Sequence, residues 1–387
     1  MKSIQLHEIK PGMVFDSPVF IDRENLFVRA NEPIKSSDIE KLLKWGINEV
    51  HTEGKAVEAE APAPVRTADT ESIRLHNEYD VLRKNWTTVR NDLVATGDIL
   101  KANMRSLIER KIFNNHEIIE QSQKIVTNIF QVPYYLLVLQ NLVISDNPII
   151  HHAVRASVFG AHLGRAMNLS RPRVQELFFG MLLMDVGMFF VPESIRRSPT
   201  SPNPEDWKSL RSHPLTGYKV LVNDAYVKTS LAVIALQHHE NYDGSGYPRA
   251  LRENQIDLLA RIAAICDRFT ALLEDRYHRT GMVPYDAMRV ILGAEAGRFD
   301  PILLRSFLGA VSIYPTGSLV EISTGEKGLV LGCSPEKPLR PLVRILRTAD
   351  GKAVDTLDFL DLNEKSSVYI VRALTSAEMG VNIVDEI

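Results

Sequence analysis

A mainly helical protein, with a small α/β module in front and a β-rich appendage behind, is the fold this sequence predicts. Three observations carry it: helical periodicity from Glu71 to Ala310, short alternating runs confined to residues 1–53, and a change to β-like texture beyond Tyr314-Pro315-Thr316-Gly317. In residues 1–53, alternation in Ser3-Ile4-Gln5-Leu6 and around Val19–Val28, punctuated by Pro11-Gly12 and Pro18, gives short strands. A helix follows: Ser37-x-x-Glu40 has capping-box spacing, Ile39, Leu42 and Leu43 supply an apolar face, and Gly46 fits its end. Residues 54–70, GKAVEAEAPAPVRTADT, set two prolines among Ala and Glu without periodicity and read as a linker. Residues 71–130 contain no proline and read as a helical connector. There Tyr79, Leu82, Trp86, Val89 and Leu93 are spaced as a heptad seam, which falters at Gly97-Asp98 and resumes at Leu100, Met104 and Leu107. Two readings stay open for it: a helix packed on its own domain, or the seam of a homodimer. Residues 131–310 are again helical, with breaks at Pro148, Pro199–Pro204 and Gly244–Pro248. Leu319–Ile322, Gly328–Leu331 and Leu342–Leu346, with a hairpin turn at Asp350-Gly351, make 311–387 a β-rich appendage in which no chemistry is visible.

Composition narrows the function classes. The chain has 387 residues with 45 basic and 48 acidic side chains, a net charge of −3. That balance gives no support to a protein that coats nucleic acid, and no DNA partner is expected, while a local basic pocket stays open. Two cysteines, Cys266 and Cys333, make neither a disulfide framework nor a cysteine zinc site. The start, MKSIQLHEIKPGM, lacks a signal-peptide core, and no apolar run reaches the ~18 residues of a membrane span. A soluble cytoplasmic protein is the expectation.

Seven of the eleven histidines lie between positions 151 and 278. His238 and His239 end an apolar helical stretch, Ser230–Gln237, and a Gly-rich loop follows at once in HHENYDGSGYP. Neighbouring side chains on a helix diverge by ~100°, so both rings reach one metal only where the helix ends and the backbone turns. The loop supplies that turn.

HHENYDGSGYP resembles the defining motif of the HD-GYP family, bacterial metal-dependent phosphodiesterases that hydrolyse cyclic di-GMP. Further segments match in order over roughly 145–310: His152-Ala-Val-Arg ahead of an apolar helix, Leu183-Met184-Asp185-Val186-Gly187-Met188 where the family has His-Asp-x-Gly-Lys, Ser212-His213-Pro214-Leu215-Thr216-Gly217, and Cys266-Asp267-Arg268-Phe269-Thr270-Ala271-Leu272 with Arg276 and Arg279 beyond. LHEIKPGMVFDSPVF near the start is similar to a small domain found ahead of such enzymes. The resemblance implies an all-helical HD-type phosphohydrolase core over 131–310 and two metal sites sharing Asp185. Site one would take His152, position 184, Asp185 and Asp267, and site two Asp185, His213, His238 and His239. It implies Asp185 as the catalytic aspartate, and Gly246, Tyr247, Pro248, Arg276 and Arg279 as substrate contacts. Mixed imidazole and carboxylate ligation suits Fe or Mn, with Zn as a third candidate.

Two departures stand out. Met184 replaces the family's histidine, and Met188 its lysine. A thioether is a weak ligand for these ions, so one firmly held ion and a second, weak or absent one are expected. Losing the lysine removes a cation facing the substrate phosphate. Pro148 stands where trinuclear members carry glutamate, so no third metal is expected. Each assignment has a plainer alternative. His151 and His162 read as packed or helix-surface histidines, His278 as exposed, Met184 and Met188 as core packing, and Arg276 and Arg279 as a solvated helix end. Two functions stay open: a cyclic di-GMP phosphodiesterase with impaired hydrolysis, or a catalytically inactive cyclic di-GMP receptor or scaffold acting through signalling protein partners.

Overall fold

A computed structural model describes residues 2–10, 12–21, 26–28, 30, 34, 39, 42–43, 47–57, 68–132, 134–139, 141–275, 279–333, 337, 339–354 and 356–380. The chain divides into two compact units, Met1–Ile73 and Arg74–Ile387.

In the first unit, β1 (Lys2–Gln5), β3 (Val19–Phe20), β4 (Leu26–Val28) and β5 (Glu49–Thr52) form an antiparallel sheet in the order β1-β5-β3-β4, while β2 (Val14–Phe15) pairs with β6 (Ala56–Val57). Leu6, Ile9, Phe15, Val19, Val28, Ile34, Leu42 and Val50 bury together as its core. The cap and stop expected at Ser37, Glu40 and Gly46 lie outside the described residues. Ala56 and Val57, within the stretch read as linker, form a strand.

The second unit is helical and then β. The helices ahead of its sheet are α1 (Ala68–Arg110, which starts within the first unit), α2 (Asn115–Gln131), α3 (Pro148–Ala166), α4 (Arg171–Leu183), α5 (Glu193–Arg196), α6 (Pro204–Leu210), α7 (His213–Asn223), α8 (Thr229–Gln237), α9 (Leu258–Leu273), α10 (Pro284–Leu292) and α11 (Pro301–Val311). The heptad seam of α1 faces inward: Tyr79, Leu82, Val89 and Leu93 are buried in the unit's own core. Of the two readings of the seam, this burial is that of a helix packed on its own domain, since a heptad stripe and a docked helix bury the same spacing. The helix runs unbroken through Gly97, where a side chain would collide with Ile144; the gap in the seam is where another segment comes close.

α4 is buried through most of its length and lies at the centre of the bundle. Gly160 sits against Met181, and Gly164 against Leu177 and Val174, which lets α3 approach α4 closely. Behind the helices, β7 (Leu319–Ile322), β8 (Lys327–Gly332), β9 (Leu342–Arg347), β10 (Phe359–Asp361) and β11 (Ile370–Leu374) form an antiparallel sheet in the order β10-β9-β8-β7-β11. Strand alternation splits its side chains between two cores. Leu319, Leu329, Leu331, Leu342 and Leu346 join the helical core, whereas Val320, Ile322, Val330, Val343 and Ile345 form a second cluster. Buried Arg344 ties sheet to helix, its Nη1 donating to the Tyr79 hydroxyl at 2.6 Å. The mainly α fold with strand-rich ends is as expected; what the alternating runs did not reveal is that the appendage shares the helical core.

Leu93→Ala is expected to lower unfolding free energy by about 2–5 kcal/mol, the usual cost of emptying a leucine site in a core. Urea denaturation followed by circular dichroism would show this loss, independent of protein concentration; a concentration-dependent loss would return the seam to an interface between chains.

Candidate metal centre

Five elements deliver the site. His152 lies in the second turn of α3, Asp185 follows the end of α4, His213 opens α7, His238 and His239 follow α8, and Asp267 lies on α9. Two glycines bring the Asp185 turn against α7. A side chain at Gly187 would strike the His213 carbonyl, and Gly217 lies against the Gly187 backbone. α8 ends at Gln237, so the backbone turns where the adjacent histidines need it to.

The side chains form two groups. His213, His238 and His239 converge as one, and His152, Asp185 and Asp267 as the other. Asp185 joins them: its Oδ1 is 3.3 Å from His213 Nε2 and 3.7 Å from His238 Nε2, while its Oδ2 is 4.0 Å from His152 Nε2. His152 Nε2 meets Asp267 Oδ1 at 2.8 Å. Helix-end carbonyls set the tautomers. His213 Nδ1 donates to the Leu210 carbonyl at 2.6 Å, and His238 Nδ1 to the Ala235 carbonyl at 2.9 Å. The two Nε2 atoms therefore face one another as lone pairs 3.3 Å apart, beside a carboxylate. Such a convergence of electron pairs calls for a shared proton or a metal cation. The donor set fits a divalent metal.

The electrostatics agree. Burial alone would favour a neutral Asp185, yet with a proton shared on the Nε2 atoms of His213 and His238 beside it, their hydrogen bonding and positive charge hold it well below the usual carboxylate range. Asp267 is likewise opposed by burial and brought down to about 2 by His152. Burial, with His238 nearby, drives His239 well below its ordinary value and keeps its ring a neutral donor of electron pairs. For His152 burial opposes charge, but Glu274 and Asp267 on its two nitrogens raise it to about 10.

The loop after His239 is anchored from below. Buried Glu240 accepts from the Arg249 and Leu251 amides at 2.7 and 2.9 Å. Gly246 packs against the His239 carbonyl and Asn241 amide with no room for a side chain, and the Tyr247 ring stacks on His239 at 4.9 Å. Above the histidines opens a cleft of about 460 Å³, lined by Met188, Arg211, Gly246, Tyr247, Arg268 and Arg298 among others.

Not every residue singled out from sequence meets there. Pro248 does not line the cleft. Arg276 and His278 lie outside the described residues. Arg279 donates to the Ala271, Leu272 and Thr280 carbonyls at the end of α9 and does not line the cleft. Met184 is fully buried in the helical core, whereas Met188 faces the cleft. His162 is half-buried against Tyr135, and desolvation lowers it to about 3. Sequence reasoning missed Glu274, whose Oε2 is 2.8 Å from His152 Nδ1, and the cleft residues Arg211, Arg268 and Arg298. Arg268 follows Asp267 in the segment Cys266–Leu272, where no spacing marks it as a cleft residue.

Residues 137–303 match the HD domain, and residues 319–382 the KOW domain associated with HD domain. The cyclic di-GMP phosphodiesterase PA4108 of Pseudomonas aeruginosa is 34% identical over 255 residues, 66% of this chain and 61% of that protein. This chain carries an HD domain related to those of HD-GYP cyclic di-GMP phosphodiesterases. The chain thus spans under two thirds of PA4108, but the cyclic di-GMP phosphodiesterase PdeB of Borreliella burgdorferi is 23% identical over 361 residues, 92% of this chain and 89% of that one. Among solved structures, Bd1817, a HDG"Y"P protein from Bdellovibrio bacteriovorus, aligns over 79% of this chain and 97% of its own, with 19% identity and a TM-score of 0.48. Among the described residues, no helix is long and apolar enough to cross a membrane.

Glu274→Gln is expected to weaken metal binding at the His152 group by about 10- to 100-fold, the usual cost of losing a carboxylate behind a metal-binding histidine. Calorimetric titration of metal-free protein with Mn would show one class of site weakened and the other unchanged; two unchanged classes would remove Glu274 from the centre.

Proposed function

We propose that this chain binds cyclic di-GMP over its metal centre and hydrolyses it slowly, with turnover held down by Met184 and Met188. The observation that carries the reading is the Asp185 carboxylate divided between two groups of metal-binding side chains under an open cleft. Relatives named as cyclic di-GMP phosphodiesterases support the substrate class.

A bound pair of divalent ions, Fe or Mn by the donor set, would polarise a phosphoryl oxygen and acidify water for in-line attack. The chain's own residues supply the rest. Asp185, His213, His238 and His239 offer four side chains on one side, whereas His152, Asp185 and Asp267 offer three on the other. Met184 cannot add a fourth, since its thioether is packed in the core. Asp185 serves both groups and is the residue on which hydrolysis turns. Gly246 and Tyr247 shape the cleft mouth, and Tyr247, stacked on His239, offers a ring edge to a nucleotide. Met188 places a neutral side chain on the cleft wall where a lysine would stabilise developing phosphate charge. That one observation also favours a second reading, a receptor that binds without turnover and signals to protein partners.

Hydrolysis and equilibrium binding of cyclic di-GMP, measured side by side on Mn- or Fe-loaded protein, separate the readings. Binding with slow turnover is expected for the unaltered chain. Met184→His together with Met188→Lys should raise turnover by about 100-fold, or ~2.7 kcal/mol of barrier. It should also lower stability of the metal-free protein, because an imidazole replaces a thioether in the apolar core. Binding without turnover in both proteins would establish the receptor; rapid turnover by the unaltered chain would contradict the role given to the methionines.

A further inference from the structure

The wall of the cleft carries guanidinium groups that the metal chemistry does not use. Arg268 follows Asp267 on α9, and both line the cleft. Asp267 belongs to the His152 group, whereas the Arg268 guanidinium pairs with Glu295. Arg268 is not loose. Its Nε and Nη2 donate to the two oxygens of Glu295 at 2.8 and 2.6 Å, a two-pronged pair that fixes the plane of the guanidinium. Arg298, also on the wall, places Nη1 3.4 Å from the same carboxylate, and its carbonyl accepts from the Tyr242 amide of the loop after His239 at 2.8 Å. One carboxylate between two guanidinium groups leaves this wall positive. Only two of the five N–H donors of Arg268 are engaged by Glu295, so others remain for an anion.

We infer that Arg268 and Arg298, braced by Glu295, form a second phosphate subsite that selects a cyclic dinucleotide over a mononucleotide, an inference that rests on the function proposed above. A cyclic dinucleotide carries two phosphates. With one at the metal centre, the other must lie elsewhere in the same cleft, and arginine forks match phosphate oxygens in shape and charge. A mononucleotide has a single phosphate, which the metal centre takes, so it has none left for the arginine forks. Glu295 is a positioning residue, holding both guanidinium groups in place before the ligand arrives.

The test is equilibrium binding of cyclic di-GMP and of GMP to the metal-loaded full chain, with metal content and thermal melting recorded for every variant. Arg268→Ala and Arg298→Ala should each weaken cyclic di-GMP by about 10-fold or more, as loss of charge-assisted hydrogen bonds does, and leave GMP nearly unchanged. Glu295→Gln should weaken cyclic di-GMP less, and Arg268→Lys should recover part of the loss. Should Arg268→Ala lose metal or fold poorly, Arg298→Ala and Arg268→Lys carry the same comparison. Equal weakening of both ligands, or of neither, overturns the subsite and leaves the Arg268–Glu295 pair a strut between α9 and the turn after α10. An unaltered chain that binds GMP but not cyclic di-GMP, or neither, overturns the proposed function, and the subsite with it.

Discussion

Everything at the functional end of this molecule depends on one carboxylate shared in two directions. Asp185 turns one oxygen to His213 and His238 and the other to His152. An ionised aspartate buried among imidazoles is costly unless positive charge is close by, so the site is unfavourable until protons or metal ions complete it. The surrounding fold accepts that cost at a single point. The aspartate sits between the end of α4 and a short turn, and that turn is clamped to α7 where Gly187 and Gly217 let two backbones touch. Moving either glycine face outward would separate Asp185 from His213 before any ligand was changed.

Helix ends do the remaining positioning. His213 opens one helix and His238 follows another, and each gives its Nδ1 proton to a nearby carbonyl. The orientation of both rings is therefore a product of backbone geometry. His152 is held differently, from the second turn of α3, by Glu274 and Asp267 on its two nitrogens. The two groups thus differ in what orients them as well as in ligand number. The histidine-rich group is fixed by backbone, whereas the His152 group is fixed by carboxylates. Met184, buried behind it, contributes volume to the core and nothing to the cleft.

Much of this was legible in the residues. HHENYDGSGYP announced adjacent histidines at a helix end because glycine and proline are where a helix must stop, and the helix does stop at Gln237. Periodicity separated helices from strand-rich ends for the same local reason. What remained hidden depends on distance along the chain. Glu274 meets His152 from 122 residues away, and Arg268 meets Glu295 across 27; no spacing rule brings either pair together. The seam from Tyr79 to Leu93 shows the opposite limit. Its pattern was plain, but a pattern names a buried face without naming what covers it, and here the chain's own core and Arg344 do.

The most direct measurement of the central claim is the metal content of Asp185→Asn beside that of His152→Ala, by elemental analysis after loading with Mn or Fe and removal of free ion. With Asp185 bridging, Asp185→Asn should lose affinity at both groups, while His152→Ala should empty only its own and leave the three-histidine group occupied. An Asp185→Asn protein that retains the metal content of the unaltered chain would contradict the bridging role, and with it the account of how this site is built.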